Sequence, residues 1–366
     1  MPRLVALLAF VLLAACGGTN SRAIPSGFDF ATAAPYGIPG VAHYGREGPA
    51  DIVARARGPV IAFSGGGELG AFGAGLVTGW TERGDRPDFA TVTGVSTGSI
   101  LALFTFLGPD YDDELTAIYT TYDTKDLLTT RILPAVLGAP AVNSADGYRR
   151  LIDRYIDQAV LDRIAKRAAE GRRLVVVSTD LDREQPVHWD LTALATSGHP
   201  DALQLLRDII QASSAIPVIF PPVMIPVIDS AGHRYESMHV DGGTTLQFTL
   251  MGLGSSVVSA AQVPEVYLVL NQFPDAVPSA KAPHIIPVAS AAMSTMIESA
   301  VLSEADRVAG LARQSGIPIR IATIPADFTR PTSAEFDPPY MRSLVELGRK
   351  LMREGRAWTT SAPGDS

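Results

Sequence analysis

Short apolar, β-rich runs in this chain stop on glycine turns, and helical spacing resumes at once. Val60-Ile61-Ala62-Phe63 runs into Ser64-Gly65-Gly66-Gly67, after which Leu69, Phe72, Leu76, Val77 and Trp80 recur at helical intervals up to about residue 83. Residues 89–95 form a second such run, which ends in Gly94-Val95-Ser96-Thr97-Gly98 and leads into a predicted helix over 97–106. An apolar run this short, bounded by turn residues, reads as a fully buried strand. Strands alternating with helices predict a layered α/β domain with a mostly parallel sheet. Gly73, Gly75 and Gly79 lower helix propensity between the two strands, but they permit close packing on a sheet.

The same pattern continues downstream. Further helices are predicted near 112–122, 145–158, 161–170, 202–211, 289–314 and 340–353. Strands are predicted at 174–178, 187–191, 236–240, 266–270 and 317–321, the first two pairing as a hairpin. Pro217, Pro221 and Pro222 predict an irregular segment. No internal repeat is evident. The expected organisation is a leader over 1–16, a tether and loosely packed lead-in over 17–57, rich in Gly, Ala, Pro and Ser, and one α/β domain over 58–358.

The leader has a positive Arg3, an apolar core over 4–13 and then small residues ending at Cys16. That core is too short for a comfortable membrane span. Leu13-Ala14-Ala15-Cys16 resembles the bacterial lipobox, which implies that Cys16 receives lipid and becomes the mature N-terminus; the other reading is an ordinary cleaved signal with a chance cysteine. Gly17, rather than an aspartate, follows, so the resemblance implies a lipid-anchored protein of the bacterial cell envelope at the outer membrane. Cys16 is the chain's only cysteine, so no intramolecular disulfide can form. The net charge of −8 and the absence of a Lys/Arg cluster argue against nucleic-acid binding and against docking on anionic lipid by charge alone. Oligomeric state is not legible in the sequence.

In parallel α/β sheets, sites gather beyond the carboxyl ends of the strands, and three short motifs fall there. Gly65 to Gly70 fits G-x-G-x-x-G, yet a dinucleotide site also wants an acidic residue closing the second strand. Asp85 and Asp88 come before that strand, and GVSTG occupies its end. The loop is then either a plain glycine turn or an anion site, whose outward-pointing N–H groups could hold a transient oxyanion. Gly94-Val95-Ser96-Thr97-Gly98 fits the nucleophile elbow G-x-S-x-G, in which side chains larger than hydrogen beside the serine would collide. A serine nucleophile needs a base, and Asp241 in Asp241-Gly242-Gly243 is a candidate, or else a turn former. His239 shares a strand face with Asp241 and is expected as a packed or hydrogen-bonded residue, with catalysis as the alternative. His284 follows Asp241 as an α/β-hydrolase triad would require, but lies in a Pro-rich loop. Phe220, Met224, Ile225 and Val227 read as core or as an acyl channel; Ser64, Ser213 and Ser214 read as turn or capping residues. No His/Cys/Glu spacing suggests a metal site.

In this order, the three motifs resemble the patatin-like phospholipases, over about residues 60–269. The resemblance extends to Ser178-Thr179-Asp180-Leu181-Asp182, to Ala212-Ser213-Ser214-Ala215-Ile216-Pro217 and to Phe220-Pro221-Pro222. In that family the 212–217 stretch lies close to the catalytic serine. The resemblance implies a three-layer α/β/α domain with a mostly parallel central sheet. It makes Ser96 the nucleophile, Asp241 its base, and Gly65, Gly66 and Gly67 the oxyanion donors. The implied activity is lipid acyl hydrolysis, of phospholipase A, lysophospholipase or esterase type, through an acyl-enzyme and without a cofactor. Leu69 departs from the family pattern, which has a basic residue at that place. A non-catalytic surface lipoprotein keeping the fold as a binding module, and a nucleotide-dependent oxidoreductase, are the alternatives.

Overall fold

Successive side chains of a strand point to opposite faces, and Val60–Phe63 uses both. Val60 and Ala62 enter one apolar cluster, with Val301, Ala305 and Val308 of the helix Ile285–Gln314. Ile61 and Phe63 enter a larger one, with Phe72, Leu101 and Leu344 of the helices Gly70–Arg83, Thr97–Leu107 and Pro338–Arg353. A sheet buried on both sides requires helices on both sides, hence three layers. Fully burying one such side chain stabilises by roughly 1.5–3 kcal/mol.

The computed structural model describes residues 22–49, 52, 57–130, 143–250, 259–275, 280, 282–329 and 336–360. Its strands are β1 Ala34–Pro35, β2 Ala42–Tyr44, β3 Val60–Phe63, β4 Thr91–Val95, β5 Thr129–Thr130, β6 Asn143–Ser144, β7 Arg173–Asp180, β8 Gln185–Asp190, β9 Val223–Ile228, β10 Arg234–Asp241, β11 Val266–Leu270 and β12 Ile319–Thr323. Ten of them form one sheet in the order β1-β9-β10-β7-β4-β3-β11-β12, with β8 pairing β7 and β2; β5 and β6 pair apart. From β7 to β12 the strands run parallel, and the pairings of β7 with β10 and β8 are antiparallel. The three-layer α/β/α expectation is met by this mixed sheet.

The structure departs from the sequence reading in three places. The lead-in is not loosely packed: β1 pairs β9, β2 pairs β8, and Ile38 and Val41 are buried. Its segments are two or three residues long, too short for periodicity to reveal, and they are held by the sheet edges they cover. Arg22 binds Asp182 at 2.6 Å and the Tyr235 hydroxyl at 2.8 Å, so the ordered fold begins at least that early. The second difference is β9, which follows the proline-rich segment and contains Pro226 itself. Val223, Ile225 and Val227 are buried in strict alternation, so Ile225 and Val227 are core residues. The Pro226 carbonyl still accepts from the Tyr36 N–H at 2.7 Å. The helix Ile285–Gln314 starts earlier than predicted because Pro287 falls in its first turn, where no N–H is needed. The leader and Cys16 lie outside the described residues.

Candidate active site

The elbow glycines are demanded by space. A Cβ at Gly94 would lie 1.9 Å from the Gly98 carbonyl oxygen, and one at Gly98 would lie 2.4 Å from that of Phe63. Between them Ser96 takes φ 56° and ψ −129°, a strained backbone for a residue with a side chain. Two contacts hold the turn. The Ser96 N–H donates to the Ser213 hydroxyl at 3.0 Å, which itself donates to the Val177 carbonyl at 2.7 Å. Just beyond, Tyr119 Oη lies 2.7 Å from Thr97 Oγ1 and donates to the Thr97 carbonyl at 2.9 Å.

The glycine loop after β3 lies directly against this turn. A Cβ on Gly65 would sit 3.1 Å from Ser96 Cβ and 3.8 Å from its Oγ. Gly66 has φ 146°, and a Cβ there would meet the Asn271 carbonyl oxygen at 2.0 Å. Asn271 fastens the loop, donating from its backbone N–H to Ser64 Oγ at 2.9 Å and from Nδ2 to the Ser64 carbonyl at 2.9 Å. Among the described residues, no hydrogen bond takes the N–H of Gly65, Gly66 or Gly67. Leu69 is half-buried and packs on the larger core cluster, so the side chain at the position that is basic in the family serves packing here.

Asp241 closes β10 and is 1% exposed. Its Oδ1 accepts from the Gly243 N–H at 2.7 Å, and its backbone N–H donates to the Ala215 carbonyl at 2.9 Å. Oδ2 is buried without a hydrogen bond of normal geometry. Burial pushes the carboxyl from 3.8 up to about 7, against the opposing pull of the nearby Ser96 hydroxyl and the Gly243 N–H. The 212–217 stretch therefore ties the site together, Ser213 binding the Ser96 backbone and Ala215 that of Asp241. Ser64, in the turn after β3, and Ser213, at the end of the helix Ala202–Ser213, stand at the turn and helix-end places expected of them, and both are fully buried. The length and unusual composition of the stretch was the signal available.

His239 stays apart from this chemistry. It is fully buried, 3.1 Å from Ser178 Oγ through Nδ1 and 4.0 Å from Asp180 Oδ2 through Nε2. Burial lowers its pKa to about 4, so the ring is neutral. His284 is the exposed residue preceding the helix Ile285–Gln314. Among the described residues, no group of three or more His, Cys, Asp or Glu could hold a metal ion, and no helix is long and apolar enough to cross a membrane.

A cavity of about 70 Å³ reaches Ser96 from between the helices, its wall formed by Ile100, Ile118, Leu127, Leu151 and Phe220 among others. Phe220 thus lines the space proposed for an acyl group, whereas Met224, Ile225 and Val227 do not. A larger open groove of about 670 Å³ runs between residues 30–44 and Asp182, Arg183 and Gln185, and none of the candidate residues lines it. Size alone would pick the groove, but Ser96 and Gly67 line the small cavity.

Fold and site together define a three-layer α/β/α protein built around a strained, glycine-flanked serine turn between strand and helix. Residues 61–252, more than half of the 366, match the family model described as patatin-like phospholipase, and the chain belongs to that family. Membership places it, at family level, with lipid hydrolases. The crystal structure of VipD from Legionella pneumophila is similar at 14% identity, covering 94% of this chain and 73% of that one, with a TM-score of 0.42. No curated protein matches the chain.

Proposed function

We propose that the chain hydrolyses carboxylic esters of lipids with Ser96 and Asp241 as a dyad. The observation that carries this reading is the convergence of the Ser96 elbow, the glycine loop 3.8 Å from its hydroxyl at the position a Gly65 Cβ would take, and a carboxylate affected by that same hydroxyl. Ser96 Oγ attacks the ester carbonyl while its proton passes to Asp241. The N–H groups of Gly65, Gly66 and Gly67 take the negative charge of the tetrahedral intermediate; such donors contribute about 3–4 kcal/mol each by deletion. The carbon–oxygen bond to the leaving group then breaks, and the departing oxygen takes the proton from Asp241. Water hydrolyses the acyl-enzyme by the same steps. A carboxylate near pKa 4 is a weak base for an alcohol, and the rise to about 7 brings Asp241 close to a useful range.

The test is covalent. A fluorophosphonate probe should label the wild-type protein and not Ser96→Ala, with ester turnover lost in parallel. A folded wild-type protein that takes no label would instead favour the binding-module reading. Envelope anchoring through Cys16 is part of the proposal. Arg22 is already fixed to the domain, so the six residues from Cys16 span at most about 22 Å. An anchored domain would therefore sit against the bilayer, and Cys16→Ser should move the protein from the membrane to the soluble fraction.

A further inference from the structure

The cavity at Ser96 mixes apolar and polar side chains, and in its wall the hydroxyls of Tyr148 and Ser214 are buried without a hydrogen bond of normal geometry. Tyr148 is 8% exposed, on the helix Asp146–Tyr155, with its ring 5.9 Å from that of Phe220. The two hydroxyls are neighbours: Ser214 acts on the Tyr148 proton, and so does the charge of Asp241. A pair of hydroxyls carries two donatable protons and can use only one of them between themselves. The other is left without a partner in the cavity wall, and a buried hydroxyl without a partner destabilises the fold. Burial raises the phenol pKa, so Tyr148 keeps its proton: its oxygen can accept from the Ser214 hydroxyl while its own O–H donates elsewhere.

We propose that Tyr148, positioned by Ser214, donates a hydrogen bond to the leaving-group oxygen of the ester bound at Ser96. The assignment rests on the hydrolase reading given above. As the tetrahedral intermediate collapses, the bond from carbonyl carbon to leaving oxygen breaks, and that oxygen gathers charge. Asp241 delivers the proton it took from Ser96. Tyr148 transfers nothing; it stabilises the charge until the proton arrives and holds the oxygen toward Asp241. An alkyl ester expels a strongly basic alkoxide and needs this help, whereas a p-nitrophenyl ester expels a weakly basic phenoxide and does not.

The experiment compares wild type, Tyr148→Phe, Ser214→Ala and Ser96→Ala on p-nitrophenyl butanoate and ethyl butanoate. Tyr148→Phe should lower kcat on the ethyl ester by about 100-fold and change the p-nitrophenyl ester by less than about 3-fold. Ser214→Ala should shift the same ratio in the same direction by a smaller factor, and it carries the test should Tyr148→Phe fail to fold. A merely structural role would lower both esters alike, so equal loss, or no loss on either, overturns the assignment while leaving the hydrolase reading intact. Ser96→Ala turning over both esters at the wild-type rate, or a wild type inert to both, overturns the hydrolase reading and the assignment with it.

Discussion

Replacing Asp241 with asparagine separates what the carboxylate does for chemistry from what it does to the fold. The native carboxyl sits at about 7, against 3.8 for an ordinary aspartate, and burial is the main cause. A displacement of about 3 pH units, at about 1.4 kcal/mol each, is worth about 4 kcal/mol. Its direction follows from which state holds the proton. Below about pH 4 the carboxyl is protonated in both folded and unfolded chains, and the site carries no penalty. Between about pH 4 and about pH 7 the unfolded chain ionises while the fold retains the proton, so stability falls as pH rises. Above about pH 7 the penalty is complete and the curve levels. Asparagine keeps the acceptor for the Gly243 N–H and cannot ionise. Urea unfolding of both proteins across this range should therefore find D241N gaining about 4 kcal/mol on wild type from the acid to the neutral end. Catalysis should move oppositely: wild-type kcat/KM should climb with pH through about 7 as the base ionises, and D241N should be inactive throughout. Parallel stability curves would refute the argument, since the native carboxyl would then be an ordinary one.

Two neighbouring glycines should respond differently to alanine. At Gly66 both φ 146° and the 2.0 Å approach to the Asn271 carbonyl forbid a side chain, whereas Gly67 has φ 56° and nothing within 4 Å. Gly66→Ala should cost more than about 3 kcal/mol and abolish ester turnover, and Gly67→Ala should cost about 1–2 kcal/mol by thermal unfolding; equal costs would mean the loop does not press on Asn271. His239→Ala should lose about 2–4 kcal/mol through the cavity it leaves and the unpaired Ser178, yet keep kcat within about 5-fold where folded. A folded, catalytically dead His239→Ala protein would make the histidine the base and dismiss the dyad.

The parallel half of the sheet was legible because its strands announce themselves twice. β3 and β11 are continuous apolar runs, β4 interleaves valine with threonine, and glycines mark the turns after β3 and β4. The elbow could be argued to the residue, since the collisions expected at Gly94 and Gly98 are the ones the backbone makes. The antiparallel side was harder. β9 hides its alternation behind Pro221, Pro222 and Pro226, and β1 and β2 are too short to carry a period at all. The site's supports were least legible. Asn271, Ser64, Ser213 and Tyr148 come to the glycine loop, the Ser96 turn or the cavity wall from four separate parts of the chain, and a hydroxyl or amide in a sequence says nothing of what it will face after folding.

The backbone at Ser96 would suit glycine better than serine. Conformations of this kind cost of order 1–3 kcal/mol in a residue bearing a Cβ, and the hydroxyl that bears the cost contributes little to holding the sheet together. A glycine there would relax the turn while leaving Ser213 its grip on the amide. Selection for robustness alone would thus discard this side chain early, and directed evolution of hardier variants needs a turnover screen to keep it.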